Sequence, residues 1–61
     1  MKLIFTGKDG SMSFRRGKIY DCSIHVGLLE SFIYLSAFVD AELVRCPYSS
    51  FKALFENWME V

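Results

Sequence analysis

Residues 19 to 39 constrain the fold more than any other part of this chain. From Ile19 to Val26, the apolar residues Tyr20, Cys22, Ile24 and Val26 alternate with Asp21, Ser23 and His25. This period of two marks a strand with one face buried. Gly27 interrupts the pattern, and nine of the twelve residues from 28 to 39 are then apolar. Laid out as a strand, Ile33, Leu35, Ala37 and Val39 form a small aliphatic face suited to a tight interior, and Phe32, Tyr34 and Phe38 form an aromatic face that also needs cover.

The remaining segments fit around these two. A first strand over about residues 1–6 ends at Gly7-Lys8-Asp9-Gly10, where Asp-Gly is a strong turn signal. The two strands above span about residues 18–26 and 31–39. Asp40 turns the chain into a fourth strand over about residues 41–46, with Val44 and Cys46 facing in and Leu43 and Arg45 facing out. Pro47 ends that strand and keeps Cys46 extended. Ser49 or Ser50 then caps a helix over about residues 50–59. Phe51, Leu54, Phe55, Trp58 and Met59 recur at helical spacing, opposite Lys52, Ala53, Glu56, Asn57 and Glu60. A helix of about ten residues is marginal alone, so Phe51, Leu54, Phe55 and Trp58 are expected to dock it and to cover part of the aromatic strand face.

A chain of 61 residues makes one domain and buries only about 60% of the surface that its unfolded form exposes. Such cores are usually supplemented by disulfides, a metal or oligomerisation. The first residues do not read as a signal peptide, which points to the cytoplasm and to Cys22 and Cys46 as reduced thiols. Cys22, His25 and Cys46 are only three candidate metal ligands, and the first two, three apart on a strand, point to opposite faces. No metal site is expected. Oligomerisation remains: the chain is 52% hydrophobic and 16% aromatic, without the run of about 20 apolar residues that a membrane span needs. A homo-oligomer is therefore expected, with Phe32, Tyr34, Phe38 and Leu43 as its apolar interface.

The sequence offers no catalytic constellation and implies no cofactor. His25 is the only histidine, and Asp21, four residues away on the same strand face, lies roughly 13 Å off, too far for a direct dyad. Gly7-Lys8-Asp9-Gly10-Ser11 lacks the upstream glycine of a phosphate loop and carries Asp9 where a hydroxyl residue belongs. Charge is more informative. Residues 1–20 hold five cations against one acid (+4), and residues 21–61 hold two against six (−4). Lys8, Arg15, Arg16 and Lys18 thus form a candidate site for a small anion or an acidic partner, with a merely solvated loop as the competing reading. Nucleic acid ranks lower as a partner, because a pI near 6.5 leaves the chain without the basic excess of proteins that live on it.

The segments KLIFTGKDG, FRRGKIYDCSI and CPYSSFKALFENW resemble the short SH3-like proteins encoded by phages and prophages of Gram-positive bacteria, over nearly the whole chain. The resemblance implies a mainly β SH3-like small barrel of four to five short antiparallel strands with a C-terminal amphipathic helix. It also implies a non-catalytic accessory protein that binds and inhibits or modulates a host factor, possible defence factors included, in the host cytoplasm. An oligomeric sponge for a small nucleotide-type anion and a nucleic-acid-binding module are the alternatives. Unlike SH3 domains that bind Pro-rich peptides, the chain has no ALYDY-like run, no acidic first loop and no tryptophan on its third strand, which disfavours PxxP recognition.

Overall fold

The structure, a computed structural model, describes residues 1–27 and 32–61. It contains five strands, β1 (Lys2–Phe5), β2 (Ile19–Val26), β3 (Ile33–Val39), β4 (Glu42–Tyr48) and β5 (Trp58–Glu60), with one short helix, α1 (Phe51–Phe55), before β5. The strands form a single antiparallel sheet in the order β4-β3-β2-β1-β5. The sheet is not closed into a complete barrel, since β4 and β5 both lie at its edges.

The alternation in β2 lets that strand serve two neighbours. Its first residues pair with β1, Tyr20 opposite Leu3, while Cys22 to Val26 pair with β3, Cys22 opposite Ala37 and Val26 opposite Ile33. Inward-facing residues of both halves meet in one core of Leu3, Phe5, Phe14, Tyr20, Cys22, Ile33, Leu35, Ala37, Cys46, Leu54 and Trp58. As expected, Ile33, Leu35 and Ala37 are buried and Val39 packs against them. Cys46 is buried and Val44 partly so, while Leu43 and Arg45 face solvent.

The expected helix over 50–59 is corrected by the structure. Ser50 caps α1, its hydroxyl accepting the Ala53 N–H at 3.1 Å, but the helix ends at Phe55 and residues 58–60 are strand. The physical reason is the free edge of β1: Thr6 N–H donates to the Asn57 carbonyl at 2.8 Å, and Phe5, Ile4 and Leu3 then pair with Trp58, Met59 and Glu60. Sheet pairing supplies these residues with partners that a frayed helix end lacks. The docking stripe is corrected with it. Leu54 and Trp58 are buried, Trp58 from a strand, whereas Phe51 and Phe55 are 48% and 43% exposed. Nor does the helix shield the aromatic face of β3, because Phe32 and Phe38 remain exposed and α1 packs between β4 and β5.

One further boundary moves. Pro47 does not end β4, which runs on to Tyr48, with Pro47 opposite Tyr34; a sheet edge tolerates the missing N–H. The β3 start expected at residue 31 lies outside the described residues.

The least anticipated core residue is Phe14, which leaves the polar first loop and is 1% exposed. Its ring lies edge-on to Trp58 at 4.9 Å and to Tyr20 at 5.0 Å, and 5.3 Å from Phe5. Phe5 meets Trp58 at 5.0 Å. Such tilted contacts match the favoured aromatic geometry. The Trp58 indole N–H donates to the Tyr48 hydroxyl at 3.0 Å, so the buried tryptophan carries no unpaired donor.

Candidate functional site

The four cations of the first loop sit on a scaffold rather than on a slack connection. The Asp9-Gly10 turn forms as expected, Gly10 taking a left-handed φ of 86°. Met12 and Ser13 are also left-handed, with φ of 52° and 70°, and Phe14 N–H donates to the Ser11 carbonyl at 2.9 Å. Two successive positive φ angles under such a bond make a tight primed turn. Every backbone N–H from Ser13 to Lys18 then finds an acceptor. Arg15 N–H donates to the Tyr20 hydroxyl at 2.8 Å, Arg16 N–H to Asp9 Oδ1 at 2.8 Å and Gly17 N–H to the Phe5 carbonyl at 2.7 Å. With Phe14 anchored in the core, the loop backbone is tied down and one of its side chains is buried.

This scaffold divides the cations. Arg15 and Lys18 line a largely polar cavity of about 380 Å³ together with Gly10, Ser13, Tyr20, Val39 and Asp40. Lys8 and Arg16 are exposed and do not line it. The Lys18 ammonium lies 5.5 Å from the Tyr20 ring centroid. Arg15 also approaches Asp9 at 4.0 Å, an exposed pair whose contribution to stability is small. Asp40 was not part of the cation cluster in the sequence. It enters through the β3–β4 hairpin, whose two turn residues Asp40 and Ala41 are both left-handed, with φ of 50° and 68°.

The second candidate surface is the outer face of β2, β3 and β4. Register aligns Phe38 with Leu43, Ser23 with Ser36 and Arg45, and His25 with Tyr34 and Pro47. Phe38 and Leu43, a direct cross-strand pair, are 60% and 57% exposed, and Phe32 continues the face at 48%. The Arg45 guanidinium stacks 4.8 Å from the centroid of the Tyr34 ring, which is half-buried. The sequence-predicted residues Phe32, Tyr34, Phe38 and Leu43 therefore do share one face.

The sequence missed two apolar features. Ile19, Ile4 and Met59 line up across β2, β1 and β5, with Ile19 and Met59 about half exposed; the row became visible only once β5 paired with β1. A second cavity of about 250 Å³ lies between Met12, Phe14, Pro47, Tyr48 and Asn57.

Burial pushes the Cys22 thiol up to about 11 and raises Cys46 as well, which keeps both protonated and poorly nucleophilic near neutrality. Cys22 and Cys46 face the core while His25 is exposed on the other side of the sheet. Among the described residues no group of three or more His, Cys, Asp or Glu side chains converges. No described helix is long and apolar enough to cross a membrane.

No protein-family model matches this chain, and no curated protein or solved structure does so either.

Proposed function

We propose that this chain is a non-catalytic binding protein, an SH3-like small barrel of the phage-encoded kind, which attaches to a host protein through the outer face of β2, β3 and β4 and inhibits or modulates it. The return of β5 to β1 after a short helix supports the barrel reading. The observation that carries the binding reading is the exposed Phe38–Leu43 pair beside the Tyr34–Arg45 stack. Aromatic residues and arginine are the types most enriched where binding energy concentrates, and a contiguous exposed apolar patch marks an interaction surface. The same face carries self-association in the free protein.

Affinity capture from a Gram-positive host lysate tests the reading when three forms are compared: the parent, the Phe38→Ser/Leu43→Ser pair and the Arg15→Glu/Arg16→Glu pair. A specific protein retained by the parent and by the charge reversals, and lost from the serine variant, supports it. Equal capture by all three overturns it. Sedimentation equilibrium of the parent and the serine variant reads self-association, and a parent that stays at 7.0 kDa at all concentrations refutes that part. Nucleic acid is the less favoured partner, since seven basic residues are balanced by seven acidic ones; tight, steeply salt-dependent binding of oligonucleotides would reverse that order.

A further inference from the structure

The cavity between the first loop and the β3–β4 hairpin is independent of the sheet face, and its chemistry is mixed in a particular way. Arg15, Lys18 and Ser13 of the first loop line it, the Arg15 guanidinium also approaching Asp9 at 4.0 Å. Tyr20, only 4% exposed, also lines it. Its hydroxyl oxygen is occupied by the Arg15 N–H, and its proton has no acceptor among the described residues. Asp40, from the β3–β4 hairpin, belongs to the same lining. Two cations and a phenolic donor call for an oxyanion with several acceptor atoms. A carboxylate-bearing residue in the same lining would repel a bare anion, and requires that the same ligand present hydrogen-bond donors.

The backbone around this cavity is also unusual. Gly10, Ser13 and Asp40 all line it and all have positive φ, 86°, 70° and 50°. Left-handed serine and aspartate cost conformational energy, and such strain gathers where a site must be shaped. The hydrogen-bonded loop fixes the Arg15 backbone before any ligand arrives, which lowers the loop entropy lost on binding. The volume of about 380 Å³ falls at the small end of ligand sites, which run from roughly 300 to 1,000 Å³. Its walls are mainly polar, which suits hydroxyl groups better than a flat heteroaromatic ring.

We infer that this cavity binds a hydroxylated phosphate monoester, with Arg15, Lys18 and Tyr20 on the phosphate and Asp40 accepting from the hydroxyls. Two sources share this chemistry, a free sugar phosphate and the ribose-phosphate end of a nucleotide. Heteronuclear NMR titrations of the labelled protein with ribose 5-phosphate, AMP, ribose and inorganic phosphate test the assignment.

Ribose 5-phosphate should give saturable shifts confined to amides of residues 10–18 and 39–41. Arg15→Gln/Lys18→Gln should weaken it by at least about ten-fold, as expected for the loss of charge-assisted contacts. Asp40→Asn is the sharper arm: it should weaken ribose 5-phosphate yet strengthen inorganic phosphate, because it removes a hydroxyl acceptor and a repulsive charge together. Tighter binding of AMP than of ribose 5-phosphate would assign the nucleotide source, and equal or weaker binding the sugar phosphate. Shifts that rise linearly, or that spread to Lys2, Arg45 and Lys52, overturn the site. Equal affinity for ribose 5-phosphate and inorganic phosphate overturns the hydroxylated ligand. The Phe38→Ser/Leu43→Ser pair should bind as the parent does, which separates failure here from failure of the sheet-face reading.

Discussion

Replacing Phe14 by leucine keeps an apolar group of similar bulk in the core but removes a ring that touches three others. Phe14 is 1% exposed and its ring centroid lies within 4.9 to 5.3 Å of Trp58, Tyr20 and Phe5. Each such contact is worth about 0.5–1.5 kcal/mol beyond its buried area. The three are not additive, because Phe5 and Trp58 also touch each other. A net cost of about 1.5–3 kcal/mol follows. A small domain loses about 1 kcal/mol of stability per molar urea, so the unfolding midpoint should fall by roughly 1.5–3 M. Trp58 is the sole tryptophan and sits in the cluster, so its fluorescence reports the transition directly. Phe51→Leu is the control: on a half-exposed ring it should shift stability by about 0.5 kcal/mol or less. Equal midpoints for the Phe14 variant and the parent, or equal losses at Phe14 and Phe51, would refute an aromatic core centred on the first loop.

Ala41→Gly should stabilise the domain by about 0.5–1 kcal/mol, since it relieves a left-handed alanine and gives back part of that gain as backbone entropy. Calorimetry should then show a rise of roughly 2–8 °C in Tm. Stability should also fall on the alkaline side. Burial raises Cys22 from 9.0 to about 11 and raises Cys46 and Tyr48 in the same direction. A group that holds its proton more tightly when folded contributes stability that is complete below its unfolded pKa and is lost as pH rises through the folded one. Urea midpoints should therefore decline between pH 9.0 and about 11, and Cys22→Ala should flatten that decline.

β2 was legible in the sequence because polar and apolar side chains alternate over eight residues, long enough for a period of two to stand out, and β3 because its seven residues form a nearly continuous apolar run. β5 was not. It has three residues, and the positions of Phe51, Leu54, Phe55 and Trp58 coincide with helical spacing although the chain changes conformation between Phe55 and Trp58. What ends the helix is an edge of β1 about fifty residues away, and local periodicity carries no trace of it. Phe14 was hidden for a related reason, as a lone ring in a polar stretch whose burial depends on Phe5, Tyr20 and Trp58 arriving around it. At the site, composition drew attention to four cations but could not separate the two that line the cavity from the two that do not. Asp40 belongs to that cavity only through the register of the β3–β4 hairpin.

The pairing of β1 with β5 has a kinetic consequence. Its three residue pairs, Leu3–Glu60, Ile4–Met59 and Phe5–Trp58, join segments at opposite ends of the described chain. Closing so long a loop costs conformational entropy before any contact rewards it, and topologies dominated by distant pairings reach the native state in milliseconds to seconds rather than microseconds. The aromatic cluster cannot be completed until Trp58 arrives, so an early β2–β3–β4 meander would wait with Phe5, Phe14 and Tyr20 uncovered. Closure of that last strand is then the committing event. A fragment ending before Trp58 should behave as a collapsed and sticky chain rather than as a smaller native domain.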